Sequence, residues 1–391
     1  MASLIKGRGH ATLVIDVGIL EPARFEPDIT REEVASAAGV ALADIVARRD
    51  RGEAVKAMAE GAPMIVQELQ RLGKIDGIIS LGGGGGTAIG TAAMQALPIG
   101  FPKVMVSTLA SGNTFPYVGC KDIVMFPSIV DVAGLNRISR EILTRAAGAV
   151  CGMVEIGSAP ESTENKPLIV ASMFGNTTEC VQAARAILEA AGYEVLVFHA
   201  TGVGGRTMES LVETGMVDGV LDITTTEWAD ELVGGVLSAG PTRLEAAARH
   251  GVPAIVTPGC LDMVNFRGPE VIPEKFQGRT FYAHNPQVTL MRTNPAECSD
   301  LGKLIASKLN LSTGPVTLLL PLRGISVISA PGQPFHNPEA DQALFQALKS
   351  SLRPDIEVKE FDCAINDAPF AEACASALLA NIASKKSCNP E

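Results

Sequence analysis

The residues best suited to chemistry lie in Ile78-Ile-Ser-Leu-Gly-Gly-Gly-Gly-Gly-Thr87, where an apolar run meets five consecutive glycines and then an Ala-rich helical pattern. Glycine lets backbone N–H groups approach an anion closely, and a helix N-terminus adds unpaired donors and the positive end of a dipole. Gly82, Gly83, Gly84, Gly85 and Gly86 therefore predict a phosphate-binding turn, with the Thr87 hydroxyl offered to a phosphate or to a magnesium-bound water. No Lys follows the glycines, so this is not a Walker A loop, and it matches the dinucleotide fingerprint only loosely. The alternative is a tight packing turn. A second loop rich in hydroxyls and Gly, Ser107-Thr108-Leu109-Ala110-Ser111-Gly112, ends the next apolar run. If the strands are parallel, both loops share the carboxyl edge of one sheet, where ligands of open α/β sheets bind. Together they fit a nucleoside triphosphate with magnesium. Asp16 closes a preceding apolar run and is placed near a ribose or metal, or else caps its own turn.

Further along, polar clusters follow apolar runs: Phe198 to Arg206, Thr224 to Glu227, Asp262 to Asn265, His284 to Arg292, and Arg323 to Ser326. Arg206, Arg292 and Arg323 form a candidate carboxylate-binding set. His199 and His284, with His336 of equal weight, are placed to move protons, and Asp262 to orient or act as a base. The alternative for each alone is a loop-stabilising residue. The five histidines and eight cysteines show no zinc-ligand spacing, and no Gly-x-Ser-x-Gly elbow occurs.

These loops need strands and helices to hold them. With 47% hydrophobic, 19% charged and 4% aromatic residues, the chain suits parallel strands buried under Ala-rich helices better than a sandwich or barrel. Two stretches share one plan. Ala11–Gly18 leads through a helix to Lys74–Gly82, and Tyr193–Ala200 leads through a helix to Val217–Thr224. Only the second copy is preceded by a further strand and helix, Pro167 to Gly192. The expected architecture is two Rossmann-like doubly wound subdomains with mostly parallel sheets, residues 1–158 and 159–391, the first lacking its opening strand and helix. A polar linker is expected over Ile156–Pro167.

The net charge of −11, from 32 Lys plus Arg against 43 Asp plus Glu, argues against nucleic acid and anionic membranes as partners. No apolar run reaches the roughly 20 residues of a membrane span, and scattered cysteines without a leader segment read as reduced cytoplasmic thiols.

Leu81 to Ala88, Pro102 to Gly112, Asp131 to Ser139, Phe198 to Gly205, Leu237 to Pro241, Asp262 to Phe266 and His284 to Thr293 resemble the Tm-1-like ATP-binding domain family. The resemblance spans nearly the whole chain and implies two Rossmann-like subdomains, ATP binding and homodimerisation, without a settled reaction. Members usually carry a strand and a Gly-Thr-Leu-Asp-Thr-Lys-Gly loop ahead of the segment matching Ala11, which agrees with the opening the internal repeat lacks. Three functions follow as expectations. One is an ATP-binding protein coupled to a small carboxylated metabolite in its second subdomain. Another is a non-catalytic, nucleotide-dependent binding module. The third is an NAD-dependent dehydrogenase, since a Gly run after a buried strand also resembles a pyrophosphate loop.

Overall fold

The computed structural model describes residues 1–19, 21, 23–132, 134–157 and 166–388. The chain forms two compact units, Met1–Thr163 and Glu164–Glu391. The boundary expected at residues 158 and 159, and most of the expected linker, lie outside the described residues.

The first unit contains α1 (Ala2–Gly7), α2 (Arg31–Ala37), α3 (Leu42–Arg48), α4 (Arg51–Arg71), β1 (Ile78–Gly82), α5 (Gly84–Gln95), β2 (Lys103–Ser107), α6 (Phe115–Val118), β3 (Val124–Pro127) and α7 (Arg137–Ile156). The three strands are parallel in the order β1-β2-β3, with Gly82 opposite Ser107 and Ser107 opposite Pro127. Alternation along the strands sends Ile78 and Met105 to one face and Ile79, Val104 and Val106 to the other. The first face is covered by Ile89, Ala93 and Met94 of α5, the second by Ala146 and Val150 of α7. Helices on both faces make the sheet doubly wound. Helix α4 passes α2 at a glycine: a Cβ on Gly61 would lie 2.0 Å from the Val34 carbonyl oxygen.

The sequence places a strand at Ala11–Gly18. That segment instead makes one parallel bridge, Ile15 with Ile29, and finds no ladder along β1. Its polar groups are met by return contacts, with Asp16 N–H donating to Ile29 O and Ile29 N–H to Val14 O.

The second unit contains β4 (Leu168–Met173), α8 (Thr178–Ala190), β5 (Glu194–His199), α9 (Val203–Val212), β6 (Gly219–Thr224), α10 (Glu227–Val233), α11 (Glu245–Arg249), β7 (Ala254–Gly259), β8 (Met263–Phe266), β9 (Phe281–Asn285), β10 (Val288–Arg292), α12 (Pro295–Leu309), β11 (Val316–Pro321), α13 (Pro338–Ser351), β12 (Glu357–Phe361) and α14 (Ala368–Cys388). Six strands form a parallel sheet in the order β12-β11-β7-β6-β4-β5. The order reverses between β4 and β6, the topological switch point of a doubly wound sheet. Near-continuous apolar strands fit burial on both faces: α8 and α14 pack on Ile169, Leu221 and Ile255, while α12 and α13 pack on Val256, Leu318 and Leu320. The stretch Asp262–Thr293 contributes an antiparallel sheet of order β8-β10-β9.

Candidate functional site

In the first unit β1 runs straight into α5, whose N-cap is Gly83 with no side-chain cap. The first-turn N–H groups of Gly84, Gly85 and Gly86 have no acceptor within the helix by position. A Cβ on Gly82 would lie 2.6 Å from Gly86 Cα, so the turn closes on itself there. A Cβ on Gly84 would meet nothing within 4 Å. Open space thus faces the uncapped helix end. The parallel register sets the Ser107–Gly112 loop beside it, and Thr108 N–H donates to Gly82 O at 3.2 Å.

Thr87 corrects the sequence reading. Its hydroxyl is fully buried and lies 2.7 Å from Ser107 Oγ, with a second contact to Gly82 O at 3.3 Å. Ser107 Oγ also accepts from Leu109 N–H. Thr87 and Ser107 therefore lock the two loops together, and neither hydroxyl is offered outward. Thr108, Ser111 and Gly112 are exposed, with Ala110 half-buried, and the Thr108 hydroxyl faces Gly83. Asp16 accepts from Gly18 N–H at 2.8 Å and so braces its own turn.

At the switch point of the second unit the sequence reading missed the dominant feature. Arg243, fully buried, donates to Asp222 through both terminal nitrogens at 2.6 and 2.7 Å, to Glu227 Oε2 at 2.7 Å and to Glu209 Oε1 at 2.9 Å. Burial alone would lower its pKa, but the three carboxylates hold it well above the ordinary value. Burial pushes the Glu209 carboxyl up despite Arg243. The remaining oxygen of Glu227 accepts from Gly202 N–H at 2.7 Å and Gly205 N–H at 3.0 Å. The glycine-rich loop at the start of α9 thus closes around a carboxylate of its own unit. A Cβ on Gly205 would sit 2.1 Å from Glu227 Oε2. The sequence signal was an Asp inside the apolar strand Gly219–Thr224 and a Glu just past its end.

The other second-unit candidates are placed separately. Arg292 is almost fully buried, and its five N–H donors go to Phe335 O, to Thr293 O and Oγ1, to Asn337 O and to Asp341 Oδ1 at 2.5 Å. It has no donor left for a substrate carboxylate and instead ties β10 to the start of α13. Arg323 makes a two-point pair with exposed Asp362 at 2.6 and 2.7 Å. Arg206 donates to Ser238 O. His199 is exposed beside Phe174, ring centroids 5.3 Å apart, and His284 is exposed on β9. Asp262 is fully buried: Oδ2 accepts from Ser326 Oγ at 2.7 Å, and Oδ1 has no hydrogen-bond partner. Burial raises its pKa to about 6 against the opposing pull of Arg292. His336 Nδ1 lies 3.2 Å from Ser329 O. Among the described residues no group of three or more His, Cys, Asp or Glu converges to hold a metal ion, and no helix is long and apolar enough to cross a membrane.

Parallel sheets wound on both faces, with glycine turns at their carboxyl edges, define a two-unit Rossmann-like α/β protein. The N-terminal-domain model of the uncharacterised protein family UPF0261 matches residues 1–159, and the C-terminal-domain model of that family matches residues 166–382. The chain belongs to this family. It is 52% identical to a UPF0261 protein of Clostridium tetani over 96% of this chain and 93% of that protein. It is 44% and 43% identical to the ToMV resistance protein Tm-1 and the ToMV susceptible protein tm-1 of Solanum lycopersicum, over 84% of this chain but 44% of each tomato protein.

Proposed function

We propose that the first unit binds the phosphates of a nucleotide, ATP with magnesium, at the turn from β1 into α5. The observation that carries this reading is the uncapped N-terminus of α5 opening onto free space at Gly84. Backbone N–H groups of a helix start hold a phosphate without any charged side chain. Magnesium, which keeps several waters and binds mainly through phosphate oxygens, needs no dedicated protein cage. The β2 loop at the same edge supplies the exposed Thr108 and Ser111 hydroxyls. The resemblance to the Tm-1-like ATP-binding family supports the same ligand. It does not carry antiviral action to this chain, because the ToMV resistance and susceptible proteins resemble it about equally.

The enclosed arginines of the second unit favour a nucleotide-dependent binding role over catalysis on a carboxylated metabolite. Arg292 is saturated by internal acceptors, and Glu227 fills the α9 loop. The test is isothermal titration with ATP and magnesium, beside NAD, on the native chain and on Gly84→Asp. The new side chain has room in the protein and sets a carboxylate where the phosphate would bind. Binding of ATP by the native chain and its loss in the variant are expected. Equal binding by both would place the nucleotide elsewhere, and preference for NAD would move the reading to a dinucleotide enzyme.

A further inference from the structure

Helices α2 and α3 are apolar on two sides. Val34, Ala35, Leu42 and Ile45 are buried in the core they share with α4 and α5. A tight turn joins the two helices: Gly39 N–H donates to Ser36 O at 2.9 Å and Val40 N–H to Ala35 O at 3.1 Å, the paired bonds of a Schellman cap. Gly39 takes a φ of +76° there, which glycine reaches without steric cost. Beyond the turn, Ala43, Val46 and Ala47 share one face of α3 by their spacing, and all three are exposed. An apolar face turned away from the core is surface for a ligand to cover.

A groove of about 990 Å3, open to solvent, runs over that face, with Val40 and Leu42 completing its apolar wall. Its size is at the top of the roughly 300–1,000 Å3 range of small-molecule sites. Among the described residues lining it, only Arg31 and Glu32 are charged. Arg31 Nε donates to Glu32 Oε1 at 3.3 Å, while Arg31 Nη1 is buried with no hydrogen-bond partner. A guanidinium nitrogen left buried and unpaired is costly. A carboxylate is its matching acceptor, because the planar fork of Arg takes two oxygens at once, and Glu32 engages one nitrogen only. The groove thus pairs an apolar wall with one underused cation.

We propose that the groove between α2 and α3 binds one free long-chain carboxylate, its head on Arg31 and its alkyl chain along Val40, Ala43, Val46 and Ala47. This site is separate from the turn at Gly82–Thr87 and does not rest on the ligand proposed there. Titration calorimetry with octanoate, decanoate and dodecanoate, each below its micelle concentration, and with decyltrimethylammonium tests it on the native chain, Arg31→Met and Ala43→Phe. The native chain is expected to bind the carboxylates and not the cation, with affinity rising about four- to fifteenfold for every two CH2 groups added, from half to full burial of the chain. Arg31→Met, which keeps the stem and removes the charge, should weaken decanoate binding about tenfold or more. Ala43→Phe, at an exposed position, fills the groove and should remove the dependence on chain length. A native chain that binds no carboxylate, or binds decanoate and decyltrimethylammonium alike, overturns the proposal, as does native affinity in an Ala43→Phe protein with native circular dichroism. If Ala43→Phe does not fold, unchanged decanoate affinity in Arg31→Met overturns it. A second copy of the chain covering the groove has its own signature, a dimer in sedimentation that Ala43→Phe splits and no carboxylate binding, and this too overturns the proposal.

Discussion

Truncating Glu227 should both weaken the second unit and open a new anion site. The Glu227 carboxylate is fully buried and accepts three hydrogen bonds, from Gly202 N–H, Gly205 N–H and Arg243 Nε. Removing one partner of a buried ion pair costs about 3–5 kcal/mol, and each backbone donor left without an acceptor adds about 1–3 kcal/mol. These contributions overlap, since Arg243 keeps Asp222 and Glu209 and water can enter the vacated space, so a loss of about 5 kcal/mol is expected for Glu227→Ala. At about 2–4 °C per kcal/mol for a unit of this size, Tm should fall by about 10–20 °C. The assay is intrinsic fluorescence on heating, because Trp228, the only tryptophan, is buried beside the altered residue and reports this unit alone. Inorganic phosphate should then act as a substitute. Present at ten times its Kd, it returns about 1.4 kcal/mol, or about 3–6 °C, to the variant and nothing to the native chain, whose loop is already filled. A variant Tm within about 2 °C of native, or equal phosphate stabilisation of both proteins, would refute the argument.

Two further outcomes follow from the buried groups of the second unit. The Asp262 carboxyl, raised from an ordinary 3.8 to about 6 and facing Arg292, Asp341 and the Cys260 thiol, favours the folded state at low pH by roughly 3 kcal/mol. That advantage is lost as pH rises from about 4 through 6. Urea titrations of native and Asp262→Asn proteins at pH 4.5 and 7.5, read at Trp228, should show the native chain's relative stability falling with pH; a constant difference contradicts this. Arg292→Met should destabilise by about 3–5 kcal/mol, since it leaves Asp341 buried without its partner, whereas Arg323→Met, at an exposed pair, should leave the melting curve unmoved; the reverse order would overturn the burial argument.

The glycine turn at Gly82 and the strands of both parallel sheets other than Val124–Pro127 were legible because apolar runs ending in Gly or hydroxyl residues are local signals. Two elements were not. Val124–Pro127 follows the charged Lys121-Asp122 pair and is too short for alternation to declare itself, yet it completes the first sheet. Met263–Phe266 becomes a strand only through β10, whose residues lie beyond an intervening loop, so its pattern is set by a distant partner. Arg243 was overlooked for the same reason. Nothing near it in Pro241-Thr-Arg-Leu-Glu-Ala announces burial, and its carboxylates come from positions 209, 222 and 227. Arg292 misled in the opposite sense: an Arg in a polar-looking run suggested a ligand, while its acceptors, Phe335 O, Asn337 O and Asp341, are contributed by the approach to α13.

The position of α14 has a consequence for synthesis. Phe370, Cys374, Leu378 and Ile382 of that helix seal the same core as Ile169 of β4 and Leu221 of β6, and β12, at one edge of the sheet, immediately precedes it in the chain. A ribosome making the second unit in order therefore holds its first strands with one face covered by α8 alone until α14 has left the exit tunnel. The first unit has no such delay, since α7 follows directly on the last strand it covers. The two halves of the nascent chain thus differ in their exposure to chaperones, and premature termination before Ala368 leaves the part of an apolar sheet face that α14 covers open to aggregation.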